Sequence, residues 1–304
     1  MKPALFLSPH IGAYPVMMLL GFLLGWLLVR LRSRAYGIQR NHLDNLALLL
    51  PFAGLFGARL FARLFYAKLP LFEALKVWEG DGLVFYGGFI FGVATVVIYG
   101  LVRKLNLISL MDCCAPGVAL GLAFGRVGCF LAGCCFGDVC LNPQEIARVE
   151  DPVVVQRIYT VPAISRAGWP FAVQFPQKSD AFKQHLKLGL VKETDTQSLP
   201  VHPVQLYEAV LAAVLGLGIH LATKKPRLPG SASVLFLLGY AFIRFGMEFL
   251  RADNKIYALH LTFSQLVSVY ITLGCALVLV IRAYLFARAR TDRSTNTGAE
   301  LIRA

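Results

Sequence analysis

Seven long apolar runs, separated by short stretches that hold most of the charge, limit what this chain can fold into more than any other feature. A helix that crosses a bilayer needs ~20 mostly apolar residues. Runs of that kind lie at about 13–29, 45–67, 85–102, 110–131, 206–222, 231–250 and 262–287. Inside lipid the backbone must satisfy its own hydrogen bonds, which makes each run a helix. Charged residues are 15% of the 304, against about 25% in a soluble domain. The expected fold class is therefore an all-α polytopic membrane protein with seven transmembrane helices and a small extracytoplasmic head segment.

The domain plan follows from the same runs. Residues 1–131 hold spans one to four, 132–205 an extracytoplasmic head and arm, 206–287 spans five to seven, and 288–304 a cytoplasmic tail. The start, "MKPALFLSPHIG", has one lysine and an apolar run broken by proline and histidine. It makes a poor signal peptide, and the first span is expected to be retained. The head is polar and proline-punctuated ("VEDPVV", "GWPFAVQFPQKSD", "SLPVHP"), which suggests short strands and turns. The tail "RTDRSTNTGAE" is expected to be disordered.

Lysine and arginine in short loops set the orientation. Arg30, Arg32, Arg34 and Arg40 follow span one, and Arg103 and Lys104 follow span three. Lys224, Lys225 and Arg227 follow span five, and Arg282, Arg288, Arg290 and Arg293 end span seven. The opposite loops carry Lys2, Lys68, Lys76, Arg251 and Lys255. This places the N-terminus outside and the C-terminus in the cytoplasm. The net charge of +13 sits between apolar runs; that suits anionic membrane lipid and excludes a nucleic-acid partner.

Ionisable groups inside spans are costly and mark sites. Arg59 and Arg63 come late in span two, Arg126 late in span four, and Arg244 and Glu248 late in span six. Tyr14 opens span one, Tyr86 opens span three, and Glu208 opens span five. With alternating span directions, the set shares one level near the outer leaflet. Arginines at headgroup depth suit a phosphate, which guanidinium grips through two N–H donors while staying charged. Simpler readings stand beside these. Arg244 and Glu248, four apart, form a structural ion pair, and Arg63 snorkels to the interface. "HPVQLYEAV" (His202–Val210) either caps a helix or supplies His202, Gln205 and Glu208 to a site. Glycines at four-residue spacing (Gly21/Gly25, Gly88/Gly92, Gly117/Gly121/Gly125) read as close helix packing.

The segment "GRVGCFLAGCCFGDVC" holds four of the seven cysteines. Its spacing, Cys129-x4-Cys134-Cys135-x4-Cys140, departs from the usual zinc and iron–sulfur patterns. Neighbouring cysteines do not easily place both sulfurs on one tetrahedron. No metal is expected, and a disulfide involving Cys140 is the open alternative. The other histidines (His10, His42, His185, His220, His260) show no paired spacing for haem.

Three blocks in order are similar to the phosphatidylglycerol–prolipoprotein diacylglyceryl transferases of bacterial inner membranes. "GRVGCFLAGCCFG" matches the family's signature loop at Arg126, Gly128, Phe130, Gly133 and Gly137. "HPVQLYE" matches a second block, and "YAFIRFGMEFLR" a third, with Tyr240, Arg244, Glu248 and Arg251 in place. "VWEGDGLVFYGG", "FGARLFARLFY" and Tyr14 match more weakly. Cys129 stands where asparagine is common, Cys134 where an acidic residue is common, and Tyr86 where a histidine often precedes paired glycines.

The resemblance implies transfer of a diacylglyceryl group from phosphatidylglycerol to the lipobox cysteine of a prolipoprotein signal-peptide region. A thioether forms and glycerol-1-phosphate leaves. Arg126 and Arg244 are the expected phosphate cations, and Glu248, Glu208 and His202 the candidate bases for the thiol proton. Arg126, Gly137, Tyr14, Arg59, Tyr86, Gln205, Tyr207, Tyr240 and Cys129 are expected to bind substrate. No cofactor is required. Two other readings are a non-catalytic paralogue, suggested by Cys129 and Tyr86, and a thiol-based redox protein, suggested by the cysteine cluster alone.

Overall fold

A computed structural model of the chain describes residues 12–67, 69–76, 84–140, 170–224, 228–252, 256–258 and 261–303. The first residues of the chain, His10 and His260, "VWEGDG" and "VEDPVV" with its surroundings lie outside these, as do Lys68, Lys225, Arg227 and Lys255. The long elements are α1 (Ala13–Arg32), α2 (Arg40–Phe61), α4 (Phe85–Val102) and α5 (Leu107–Ala132). They continue as α7 (Val204–Ala222), α8 (Ser231–Glu248) and α9 (Phe263–Arg303). Two short helices, α3 (Leu71–Ala74) and α6 (Asp180–Lys187), and a two-stranded ribbon, β1 (Ile256–Ala258) with β2 (Leu261–Thr262), complete the order.

Six of these helices are long and apolar enough to cross a membrane. The expected third span is the shorter apolar helix, Tyr86–Val102. Large apolar side chains cover outward faces: Phe52 is 76% exposed and Phe242 83%. Water would penalise that much apolar surface, whereas hydrocarbon does not. Two features differ from the sequence reading. The 170–203 segment contains the helix α6 as well as isolated strand pairings. And α9 runs on through the polar tail to Arg303, where disorder was expected.

The chain divides into two compact units. One comprises Met18–Leu122 with Ala213–Ser233. In it, α1 and α5 cross at Gly25 and Gly117, where an added Cβ on Gly117 would lie 2.7 Å from the Gly25 carbonyl oxygen. Glycine at this crossing lets two backbones touch, and dispersion between them replaces the hydrophobic drive that lipid removes. Gly57 and Gly87 bring α2 against α4 in the same way. The buried core of this unit includes Val29, Leu43, Leu46, Leu110 and Cys113.

Two buried polar side chains in this unit gather several partners each. Arg32, 4% exposed, donates to Tyr36 Oη at 2.7 Å and Thr223 Oγ1 at 2.8 Å. Asp112, 1% exposed, accepts from the Gly230 and Ser233 amides at 2.6 and 2.8 Å. That carboxylate satisfies donors left open at the start of α8, as a cap does. The sequence reading used Arg32 only as an orientation marker and passed over Asp112.

The second unit comprises Met1–Met17, Ala123–Ala212 and Val234–Ala304. Its core joins Phe130, Phe136, Phe175, Ala181 and Val201. Phe130 and Phe175 meet edge to face at 5.7 Å, and Phe136 meets the buried His185 ring at 5.9 Å. His185 Nδ1 accepts from the Leu199 amide at 3.2 Å. Burial pushes the imidazole pKa down to about 4.

Candidate active site

The site is built in the second unit, where the end of α5 turns back on the chain. Gly133 adopts a left-handed backbone (φ +70°). Its amide bonds to Phe130 O, and the Cys134 amide to Cys129 O, both at 3.1 Å. These two bonds form the glycine cap that closes a helix and reverses the chain. After the reversal, Gly137 N donates to His202 O at 3.0 Å, Asp138 N to Leu250 O at 2.9 Å, and His202 N to Asp138 O at 3.1 Å. The signature loop is thereby sewn to the entry of α7 and the exit of α8. All three sequence blocks meet at this seam.

Gly137 has no room for a side chain. An added Cβ would lie 2.5 Å from Val204 Cγ2, 2.6 Å from His202 O and 2.7 Å from Leu250 O. Its glycine is accounted for by this internal approach of three chain segments. Gly128 serves Tyr14: a Cβ there would sit 3.1 Å from Tyr14 Cδ2. Tyr14, 38% exposed, therefore packs on the α5 face one residue before Cys129.

Arg126 and Glu208 form the central pair. Arg126 Nη2 lies 2.9 Å from Glu208 Oε1, and the Glu208 side chain is 1% exposed. Tyr240 Oη donates to the same carboxylate oxygen at 3.0 Å. One charge from α5, one from α7 and a phenol from α8 are thus locked together. A buried charge is tolerated only when paired and hydrogen-bonded. Gln205 lies on the same helix as Glu208, one turn earlier; its Nε2 donates to Cys134 O at 2.8 Å. Gln205 Oε1 is buried and has no hydrogen-bond partner among the described residues.

A second pair lies on α8. Arg244 Nη2 is 2.7 Å from Glu248 Oε2 and 2.9 Å from Ser264 Oγ. The i,i+4 ion pair that the sequence suggested is present, and Ser264 is a partner that sequence reasoning missed. A serine in an apolar helix start gives no pattern by which to find it. Arg244 Nη1 is buried without a partner among the described residues. An unused buried guanidinium donor is costly, and a ligand oxygen would satisfy it.

His202 is buried, its ring packed edge-on to Tyr207 at 6.4 Å. Desolvation by burial lowers its pKa below the ordinary histidine value, so the imidazole is neutral at neutral pH. Arg251, 7% exposed, pairs with Gly137 through a strand-like bridge.

The expected site residues divide between the units. Tyr14, Arg126, Cys129, Gly137, His202, Gln205, Tyr207, Glu208, Tyr240, Arg244 and Glu248 all fall in the second. Arg59 and Tyr86 fall in the first, Arg59 in the last turn of α2 and Tyr86, 57% exposed, at the start of α4. There Arg63 Nη2 donates to Glu73 O at 2.9 Å, so it reaches the backbone of α3.

A family model described as prolipoprotein diacylglyceryl transferase matches residues 3–281. The chain is similar to the phosphatidylglycerol–prolipoprotein diacylglyceryl transferase of Burkholderia orbicola (strain MC0-3), 32% identical over 294 residues and covering 89% of each chain. That of Burkholderia multivorans is 32% identical over 302 residues, 91% of each. That of Clostridium tetani is 27% identical over 277 residues, 89% of this chain and 93% of its own.

Proposed function

The chain belongs to the prolipoprotein diacylglyceryl transferase family, and from that membership we propose that Arg126, held by Glu208 and Tyr240, grips the lipid phosphate during transfer. The protein is a multi-pass protein of the bacterial inner membrane. It transfers the diacylglyceryl group of phosphatidylglycerol to a prolipoprotein.

In the proposed step, the lipobox cysteine thiol loses its proton and the sulfur attacks the glyceryl carbon that carries the phosphate. The carbon–oxygen bond breaks, a thioether forms, and glycerol-1-phosphate leaves with both electrons of that bond. The departing phosphate gains a negative charge. Preorganised cations at that point stabilise the transition state more than the ground state. Arg126 supplies one such cation, since its Glu208 contact uses Nη2 and leaves other N–H donors. Arg244 supplies the second through Nη1. That buried, unpartnered donor is the observation that carries this reading.

Gln205 Oε1 accepts from a headgroup hydroxyl, which answers its own missing partner. Glu208 and Glu248 hold the two arginines. His202, kept neutral by burial, takes the thiol proton. Tyr14, Tyr207, Tyr240 and Cys129 line the headgroup region, with Arg59 and Tyr86 assigned to the lipid as well. Gly137 contributes by keeping the loop seam closed. The seven-span arrangement takes Phe85–Val102 as span three, puts the 132–205 segment outside and the C-terminus in the cytoplasm. The loop arginines Arg30, Arg34, Arg103 and Arg282 on one side support that orientation.

The test is reconstitution with phosphatidylglycerol and a lipobox peptide, read by mass spectrometry for a diacylglyceryl adduct on the peptide cysteine. Variants Arg126→Ala and Arg244→Ala are expected to form none while remaining folded. Adduct formation by both at the wild-type rate would reject the assignment.

A further inference from the structure

The sequence spacing argued against a metal because adjacent cysteines do not readily share a tetrahedron. The fold removes that objection. The Sγ atoms of Cys129, Cys134 and Cys135 all lie within 4.8 Å of one another. Two local features bring them together. The glycine cap at Gly133 places the residue after the turn over the residue five earlier, so Cys134 meets Cys129. Cys135 then takes a left-handed backbone (φ +58°), which is unusual for a residue with a side chain. That turn carries the third sulfur to the side of the other two.

We propose that Cys129, Cys134 and Cys135 form a three-thiolate site for a thiophilic d10 cation, Zn2+ or Cu+. Zinc–thiolate bonds of about 2.3 Å in a tetrahedron put sulfurs about 3.8 Å apart, so a contraction of about an ångström closes the triangle. All three thiols are reduced in the structure. None needs a new backbone path to reach the others. Arg126 lies one turn before Cys129 on α5, and Arg251 bridges to Gly137, two residues past Cys135. Cations beside the loop offset the negative charge that three thiolates leave on either ion. On Zn2+, three protein ligands leave one tetrahedral position open, the pattern of a site that exchanges a ligand. The metal titration reads the thiols and not the phosphate role given to Arg126, so the two proposals can fail separately.

The full-length protein, purified in detergent, reduced and stripped of metal, is titrated with Zn2+ against a chromophoric chelator. Parallel arms use Cu+ and Co2+. One equivalent of Zn2+ or Cu+ per chain is expected, and whichever ion competes better with its chelator identifies the cation. The cobalt form should show a thiolate-to-metal charge-transfer band, and X-ray absorption should count three sulfur neighbours. Cys134→Ser and Cys135→Ser should each weaken binding at least tenfold, while Cys275→Ser, in α9, should leave it unchanged. Reduced wild-type protein that binds no equivalent of either ion would overturn the site. So would undiminished binding by the Cys129→Ser/Cys134→Ser/Cys135→Ser variant, which would assign the ion to other groups.

Discussion

Arg126 Nη2 and Glu208 Oε1 are 2.9 Å apart, and the Tyr240 hydroxyl donates to that same oxygen at 3.0 Å. The arginine that is proposed to meet phosphate is therefore held from behind by two groups on different helices. Replacing Glu208 by Gln keeps the shape and removes the charge. Breaking a buried pair this way costs about 3–5 kcal/mol. Tyr240→Phe removes one hydrogen bond, worth about 1 kcal/mol. Transfer by Glu208→Gln should fall far below that of Tyr240→Phe. Thermal unfolding in detergent should rank the two variants in the same order.

The Arg244 cluster predicts a difference between charge and shape. Lysine at this position keeps a positive charge but cannot hold Glu248 and Ser264 while offering a further donor in the guanidinium plane. Arg244→Lys should lower the transfer rate by roughly 100-fold, the size seen when one positioned donor is lost. Ser264→Ala should cost less than tenfold. Steady-state rates on a lipobox peptide check both.

Protons act at two histidines with the same sign. Burial lowers the His185 pKa to about 4, against about 6.5 in an unfolded chain. Between those values the unfolded chain binds a proton that the folded one does not. Stability around α6 is therefore full above about pH 6.5 and falls as pH drops toward 4. Hydrogen exchange of the Phe175–Leu199 region across that range reads it, and His185→Phe should flatten the dependence. At His202, also lowered, the neutral base persists somewhat below the ordinary histidine range. The acid limb of the transfer rate should lie there, and His202→Gln should remove it along with most of the activity.

At Gly137 even a methyl group overlaps Val204, His202 and Leu250. Gly137→Ala should separate the loop from α7 and α8, destabilising the protein by more than 1 kcal/mol through overpacking. It should also reduce transfer without touching a charged residue. Gly246→Ala, where an added Cβ meets nothing within 4 Å, is the control and should behave as wild type.

Much of the fold was legible because lipid imposes a simple rule. Runs of about 20 apolar residues gave α1, α4, α5, α7 and α8 to within a few residues. Gly25 and Gly117 read correctly as packing positions. Arg126, Glu208, Arg244 and Glu248 were legible as a set because charge inside a span demands a reason, and Tyr240 entered only through the family resemblance. Their pairing was not, since nothing local in α5, α7 and α8 says which carboxylate serves which arginine. Asp112 and Ser264 escaped notice for a related reason. Asp112 caps a helix more than 100 residues away, and Ser264 has no charge to mark it. The cysteine triangle was hidden by spacing rules that assume ordinary backbone. Two left-handed residues, Gly133 and Cys135, decide its geometry.

The most direct measurement is the diacylglyceryl adduct on a lipobox peptide, made by purified protein in phosphatidylglycerol liposomes and weighed by mass spectrometry. The wild type should form a thioether adduct and release glycerol-1-phosphate in equal amount. Arg126→Ala, folded by circular dichroism and elution, should form none. A wild-type rate from Arg126→Ala would contradict the account at its centre.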